Sequence, residues 1–213
     1  MKWFLQTLTA SLGLKLMMAL SGLCFCLFLI VHTFGNLTIY GGQAMFNSYA
    51  EHLHALGLLL TAAEWGLLIL AAIHIVTGLT LFTQNLMARP VRYKVNRRAG
   101  GRTIGSATMP YTGVLLLVFV IIHLLDFHFV DKTHTTIFDI VSTAFQNPLY
   151  IVLYMIGVLL AAIHISHGFW SAFQSFGLNH PKYTLLIKGI GLLLAIVVAV
   201  GFGSLPVYLS LTV

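Results

Sequence analysis

Leu70-Ala71-Ala72-Ile73-His74-Ile75 returns as Leu160-Ala161-Ala162-Ile163-His164-Ile165, at an offset of 164 − 74 = 90. Gly78 and Gly168 follow at the same distance from the two histidines. A second match, Phe28-Leu29-Ile30-Val31-His32 against Phe119-Val120-Ile121-Ile122-His123, has an offset of 123 − 32 = 91. Either match alone is short, but both end on histidine at nearly one offset. They predict two helix pairs arranged as parallel repeats about an axis along the membrane normal.

The surroundings of these motifs require a membrane. Of 213 residues, 59% are hydrophobic and 8% charged, against about 25% charged in soluble domains. Mean hydropathy is +0.95. A helix crosses the hydrocarbon core with roughly 20 apolar residues, and five stretches qualify: about 14–40, 61–87, 109–130, 147–172 and 185–211. The expectation is one all-α integral membrane domain over 1–213. Its first four spans are expected to form a four-helix bundle, with the fifth peripheral.

The net charge of +6 does not point to nucleic acid, because the basic residues sit in short loops, as topology signals do. Lys2 and Lys15 precede the first span, Arg89, Arg92, Lys94, Arg97, Arg98 and Arg102 fill the loop after the second, and Lys182 and Lys188 flank the last loop. The remaining loops hold Glu51, Glu64, Asp131 and Asp139, with Lys132 their one basic residue. The expected orientation has the N-terminus in the cytoplasm and the C-terminus outside. Cys24 and Cys26 are two apart on a helix and suit neither a disulfide nor a metal pair. No Cys-x-x-Cys-His occurs, which excludes a covalently attached c-type haem. The N-terminus does not read as a cleaved signal peptide, since its first apolar run is too long.

Four of the ten histidines are central to spans, one in each of the first four: His32, His74, His123 and His164. An ionisable side chain inside a membrane helix is costly and points to function. Haem iron accounts for the pattern. Two neutral imidazoles make six-coordinate iron suited to electron transfer. Gly35, Gly78 and Gly168, one turn past three of these histidines, would leave room for a flat ring. The repeat pairs His74 with His164 and His32 with His123. Counted from the basic anchors, His123 is 21 residues past Arg102 and His74 is 15 before Arg89. The His32–His123 pair is then the outer one and the His74–His164 pair the inner one. His167 aligns with Thr77 and is the second choice behind His164. His52, His54, His128, His134 and His180 read as interfacial.

Gly13-Leu14-Lys15-Leu16-Met17-Met18-Ala19-Leu20-Ser21-Gly22-Leu23, then His32-Thr33-Phe34-Gly35-Asn36-Leu37 and Phe46-Asn47-Ser48-Tyr49-Ala50, resembles the opening of the single-chain, two-haem cytochrome b subunits of succinate:quinone oxidoreductases, which serve as succinate dehydrogenase or fumarate reductase. The run from His164-Ile165-Ser166-His167-Gly168-Phe169-Trp170 to Gly177 is similar to that family's fourth-helix signature. The resemblance covers the first four spans well and the fifth poorly. It implies two haem b groups held at His32, His74, His123 and His164. It implies a flavoprotein with covalent FAD and an iron–sulfur subunit on the cytoplasmic face of a bacterial inner membrane, and a menaquinone-type quinone reacting near the outer haem. The dicarboxylate chemistry would belong to the flavoprotein, with no catalytic residue in this chain, and a homodimer of the complex is compatible with it. Where some members carry a glutamate for transmembrane proton return, this chain has Ala162.

Quinone chemistry moves protons, so titratable groups are expected near the outer haem. Asp126, one turn past His123, is the first candidate, with Glu51 and His54 beside it. The arginine-rich loop 89–102 is a candidate for docking an acidic partner or lipid headgroups. Two other readings stand beside this one: a two-haem anchor of a formate dehydrogenase or hydrogenase, and a transporter without haem whose histidines relay protons.

Overall fold

The computed structural model describes residues 2–88 and 103–212. The six basic residues of the loop 89–102 lie outside the described residues. Among the described residues every regular element is helical: α1 (Lys2–Thr9), α2 (Ser11–Leu37), α3 (Gly42–His54), α4 (Leu58–Met87), α5 (Ile104–His123), α6 (Ile137–Ala144), α7 (Pro148–Ser175) and α8 (Pro181–Thr212). A 3-10 turn, Thr38–Gly41, follows α2, and a π-helical turn, Leu124–His128, continues α5. Five stretches, built on α2, α4, α5, α7 and α8, are long and apolar enough to cross a membrane. In hydrocarbon, no water satisfies backbone N–H and C=O groups, so a spanning segment of this kind must bond them internally. At about 1.5 Å per residue, the 27 residues of α2 exceed the ~30 Å hydrocarbon core.

Local sequence sets the ends. Thr103 and Ser106 form a capping box at the start of α5, Thr136 and Asp139 do the same for α6, and Asn147 caps α7 with Pro148 in its first turn. Gly177, at φ +78°, ends α7 in a left-handed conformation that glycine adopts at little steric cost. In the loop between the π turn and α6, Thr133 donates to Asp131 through both its hydroxyl and its backbone N–H. The hydroxyl first, and the backbone N–H after it, hold that carboxyl below the usual carboxylate range.

α2 packs along α4 and α5 along α7, the two repeat-related pairs, and α2 also packs along α7. α4 and α5 meet far less. The four helices thus form a ring in which α2 faces α5, and α4 faces α7, across the diagonals. α8 is not peripheral: it packs along α7 and touches α2. Its Leu194, Ala195 and Val198 form a buried cluster with Cys26 of α2 and Ile165 of α7. Small residues give it this place, since close backbone approach is what binds helices in lipid. A Cβ built on Gly201 would stand 2.6 Å from the Thr33 methyl.

The end of the bundle away from the N-terminus is covered by two elements that the sequence pattern did not signal. α3 and α6 lie over it, joined by Phe138 N–H donating to Asn47 Oδ1 (3.1 Å) and Gln43 donating to Asp139 (3.2 Å). Ile39, Phe46, Val141, Phe145, Tyr154, Leu205 and Leu209 form the buried cluster beneath them. All five acidic residues lie toward this end, whereas Lys2, Lys15, Lys182 and Lys188 lie toward the other.

The close approach of α8 to α2 yields a test. Gly201→Ala should cost roughly 1–3 kcal/mol through overpacking against Thr33, read as a lower unfolding temperature in detergent by circular dichroism. Gly189→Ala, on the same helix with open space around the new methyl, should leave that temperature unchanged or raise it.

Candidate functional site: two histidine pairs across the bundle

The four central histidines meet in pairs along the two diagonals. His32 of α2 and His123 of α5 have ring centroids 5.9 Å apart, with planes at 81°. His74 of α4 and His164 of α7 are 6.3 Å apart, with planes at 64°. Facing imidazoles at this spacing could hold one metal ion between them, each through a metal–nitrogen bond of ~2 Å. The pairs occupy different depths. Ser21 touches His74, and 32 − 21 = 11 residues at ~1.5 Å place the His32 level about 16 Å further along α2.

The pair nearer the N-terminus is built with two-fold regularity. Ser21 Oγ lies 3.1 Å from His74 Nδ1, and Thr112 Oγ1 lies 3.1 Å from His164 Nδ1. The adjacent residues are Gly22, where a Cβ would stand 3.2 Å from His74 Cε1, and Gly113, where it would stand 3.5 Å from His164 Cε1. The nearest neighbour of a Cβ on Gly78 would be Met18 Sδ at 3.9 Å, and on Gly168 Met109 Cε at 3.2 Å. Met18, Ser21 and Gly22 correspond to Met109, Thr112 and Gly113 at an offset of 91 each. This Met-x-x-Ser/Thr-Gly repeat is the part of the site that motif reading missed. The signal was available: it shares the offset of His32 and His123, but none of its residues is unusual in a membrane helix.

The far pair keeps one feature of the repeat. Phe28 stacks on His32 (5.1 Å, 15°) and Phe119 on His123 (6.1 Å, 29°). The rest is unequal. Asn36 Nδ2 donates to the His32 carbonyl at 2.9 Å and lies 3.4 Å from His32 Nδ1. His123 Nδ1 is buried without a hydrogen-bond partner among the described residues. Phe202 of α8 packs against His32 at 5.2 Å, and Phe127 and Tyr154 surround His123 at 5.5 and 6.0 Å.

Asp126 sits beside this pair. The π-helical turn aims it at α7, where Tyr154 donates to Oδ2 at 2.9 Å and Tyr150 to Oδ1 at 3.4 Å. Such turns recur at functional positions. The other two quinone candidates are not brought there. Glu51 and His54 are exposed on α3, and His54 Nδ1 donates to its own helix at the Ala50 carbonyl, 2.7 Å away. Among the described residues no hydrogen bond or ion pair joins either one to Asp126.

The remaining histidines lie apart from the two pairs. His167 turns to Thr103 (3.4 Å) and packs edge-on against Trp170 at 4.9 Å. His52 donates to the Ser48 carbonyl, His128 faces Glu64 at 4.0 Å, His180 accepts from the Lys182 N–H, and His134 lies exposed in the loop before α6. Gly35 leaves no room for a ring, because Tyr49 fills the space beside it. Both cysteines are free thiols, and among the described residues no group of three or more His, Cys, Asp or Glu side chains is placed to share a metal ion. What the site offers is paired imidazoles, a donor set that could hold haem iron.

Removing the Tyr154 hydroxyl tests the carboxylate cluster. Tyr154→Phe should destabilise the detergent-solubilised chain by about 1–3 kcal/mol, seen as a lower thermal midpoint. Tyr150→Phe, which gives up the longer contact, should cost less. No family model matches this chain, and comparison with curated proteins and with solved structures found no match.

Proposed function

We infer that this chain is the two-haem cytochrome b anchor of a succinate dehydrogenase or fumarate reductase complex in a bacterial inner membrane. The observation that supports this reading is the meeting of His32 with His123 and of His74 with His164, at two depths, across the diagonals of one helix ring. Haem iron with two imidazole ligands takes up and gives up single electrons.

In this reading His74 and His164 hold the inner haem b, His32 and His123 hold the outer one, and the chain supplies ligands, spacing and a low dielectric. The basic end of the bundle faces the cytoplasm and receives the iron–sulfur subunit and, beyond it, the flavoprotein with FAD. The menaquinone-type quinone reacts at the other end, where Asp126, backed by Tyr154 and Tyr150, holds or delivers a proton near the outer pair. The resemblance of the motifs at 13–23, 32–37 and 164–177 favours this complex over other dehydrogenases.

Purification from the native membrane tests the reading as a whole. The expected result is two b-type haems per chain by pyridine haemochrome, flavin in the co-purified complex, and fumarate reduction with a quinol as donor. His74→Ala and His164→Ala should each remove one haem, the same one. His32→Ala and His123→Ala should each remove the other. A folded chain without haem would defeat the reading and leave a proton-relay transporter as the better account. Two haems without co-purified flavin would move the anchor to another dehydrogenase.

A further inference from the structure

The hydrogen bonds of Ser21 and Thr112 can be followed proton by proton. Each hydroxyl has one proton. Ser21 directs its own to the preceding turn of α2, where the Met17 carbonyl is 2.8 Å away and the Met18 carbonyl 3.1 Å. Thr112 does the same on α5, with the Met109 carbonyl at 3.1 Å and the Thr108 carbonyl at 3.2 Å. A serine or threonine buried in an apolar helix has this i−4 or i−3 carbonyl as its natural acceptor. Only lone pairs of the hydroxyl oxygen then remain for the imidazole. With the hydroxyl protons so placed, His74 Nδ1 and His164 Nδ1 are the donors of these two contacts. Each neutral ring has one N–H, so the Nε2 of both histidines is left bare.

A metal-bound histidine needs this arrangement: one nitrogen on the metal, the other N–H given to a fixed acceptor that sets tautomer and ring orientation. The glycine after each hydroxyl lies against the ring: a side chain at Gly22 would crowd His74 at Cε1, and one at Gly113 would stand in van der Waals contact with His164 Cε1. The far pair is built otherwise. Among the described residues His123 Nδ1 has no hydrogen-bond partner, and His32 Nδ1 lies 3.4 Å from the Asn36 amide nitrogen, a donor. Neither ring there is held by a hydroxyl acceptor.

We propose that Ser21 and Thr112 are positioning residues of the His74–His164 centre, each accepting the Nδ1 proton of its histidine so that both Nε2 lone pairs are presented to one haem iron, a device the His32–His123 centre lacks. This rests on the haem reading above and adds the reason the two centres differ. Loss of both hydroxyls weakens haem binding at the inner centre and leaves the outer centre alone.

The test separates the centres by background. In His32→Ala/His123→Ala protein in lipid nanodiscs only the inner centre can load, and in His74→Ala/His164→Ala protein only the outer one. Haem titration into the first background with Ser21→Ala and Thr112→Val added should show affinity lower by roughly 10–100-fold, the range for loss of an outer-shell partner. The midpoint potential of whatever haem remains should rise, because a ring that no longer donates is a poorer donor to ferric iron. The same two changes in the second background should leave affinity and potential as they were. Ser21→Thr and Thr112→Ser, which keep the hydroxyls, should restore the inner centre and exclude a packing effect. Independently of haem, 15N shifts of the haem-free protein should place the proton of His74 and His164 on Nδ1. Unchanged inner affinity and potential in a chain that binds two haems, or equal losses in both backgrounds, would overturn the proposal alone. A parent chain that binds no haem would instead defeat the reading beneath it.

Discussion

An imidazole inside an apolar helix bundle has to find a partner, and this constraint organises the molecule. Lipid offers its two nitrogens nothing, and an unsatisfied polar group there costs several kcal/mol. Four such rings on four helices are held inward by that cost, toward the one part of the structure where polar atoms are available. The ring of α2, α4, α7 and α5 follows from it: each helix turns its histidine to the diagonal opposite, and the lipid-facing sides stay apolar. Packing along α2–α4 and α5–α7 then fixes the depth at which the rings meet.

The two levels satisfy the constraint differently. At the level of His74 and His164, hydroxyls on α2 and α5 accept from the rings, and glycines let the helices come close enough for the bonds to form. At the level of His32 and His123, aromatic rings fill the space: Phe28, Phe119, Phe127, Tyr154 and Phe202. One level is polar and near-symmetric, the other aromatic and lopsided. α8 contributes to the asymmetry. It has no counterpart in the repeat, and Phe202 reaches His32 only because Gly201 and its neighbours let α8 lie against α2.

Hydropathy and the histidine offsets made much of this legible. The spans emerge within a few residues of α2, α4, α5, α7 and α8, because twenty apolar residues in a row have one solution in lipid. The repeat offset indicated which histidine faces which. Three things were harder to read. α3 and α6 are short and amphipathic, with no long apolar run to signal them. α8 looked peripheral because it lacks a histidine, yet small-residue packing, not chemistry, decides its place. Glu51 and His54 were candidates beside Asp126 as titratable groups on the outer side, but α3 leaves them exposed, and only the π-helical turn brings a carboxylate to the far pair.

That turn also marks where the repeat ends. After His123 the fifth helix gains a residue per turn, so Asp126 rotates toward Tyr154 and Tyr150 of α7. After His32 the second helix does not widen. It tightens into a 3-10 turn at Thr38–Gly41 and hands the chain to α3. The repeat therefore persists from Met18 to His32, and from Met109 to His123, and breaks just beyond. Two-fold order holds where both halves face each other across the bundle centre. It fails at the end where a carboxylate and two phenols are gathered on one half.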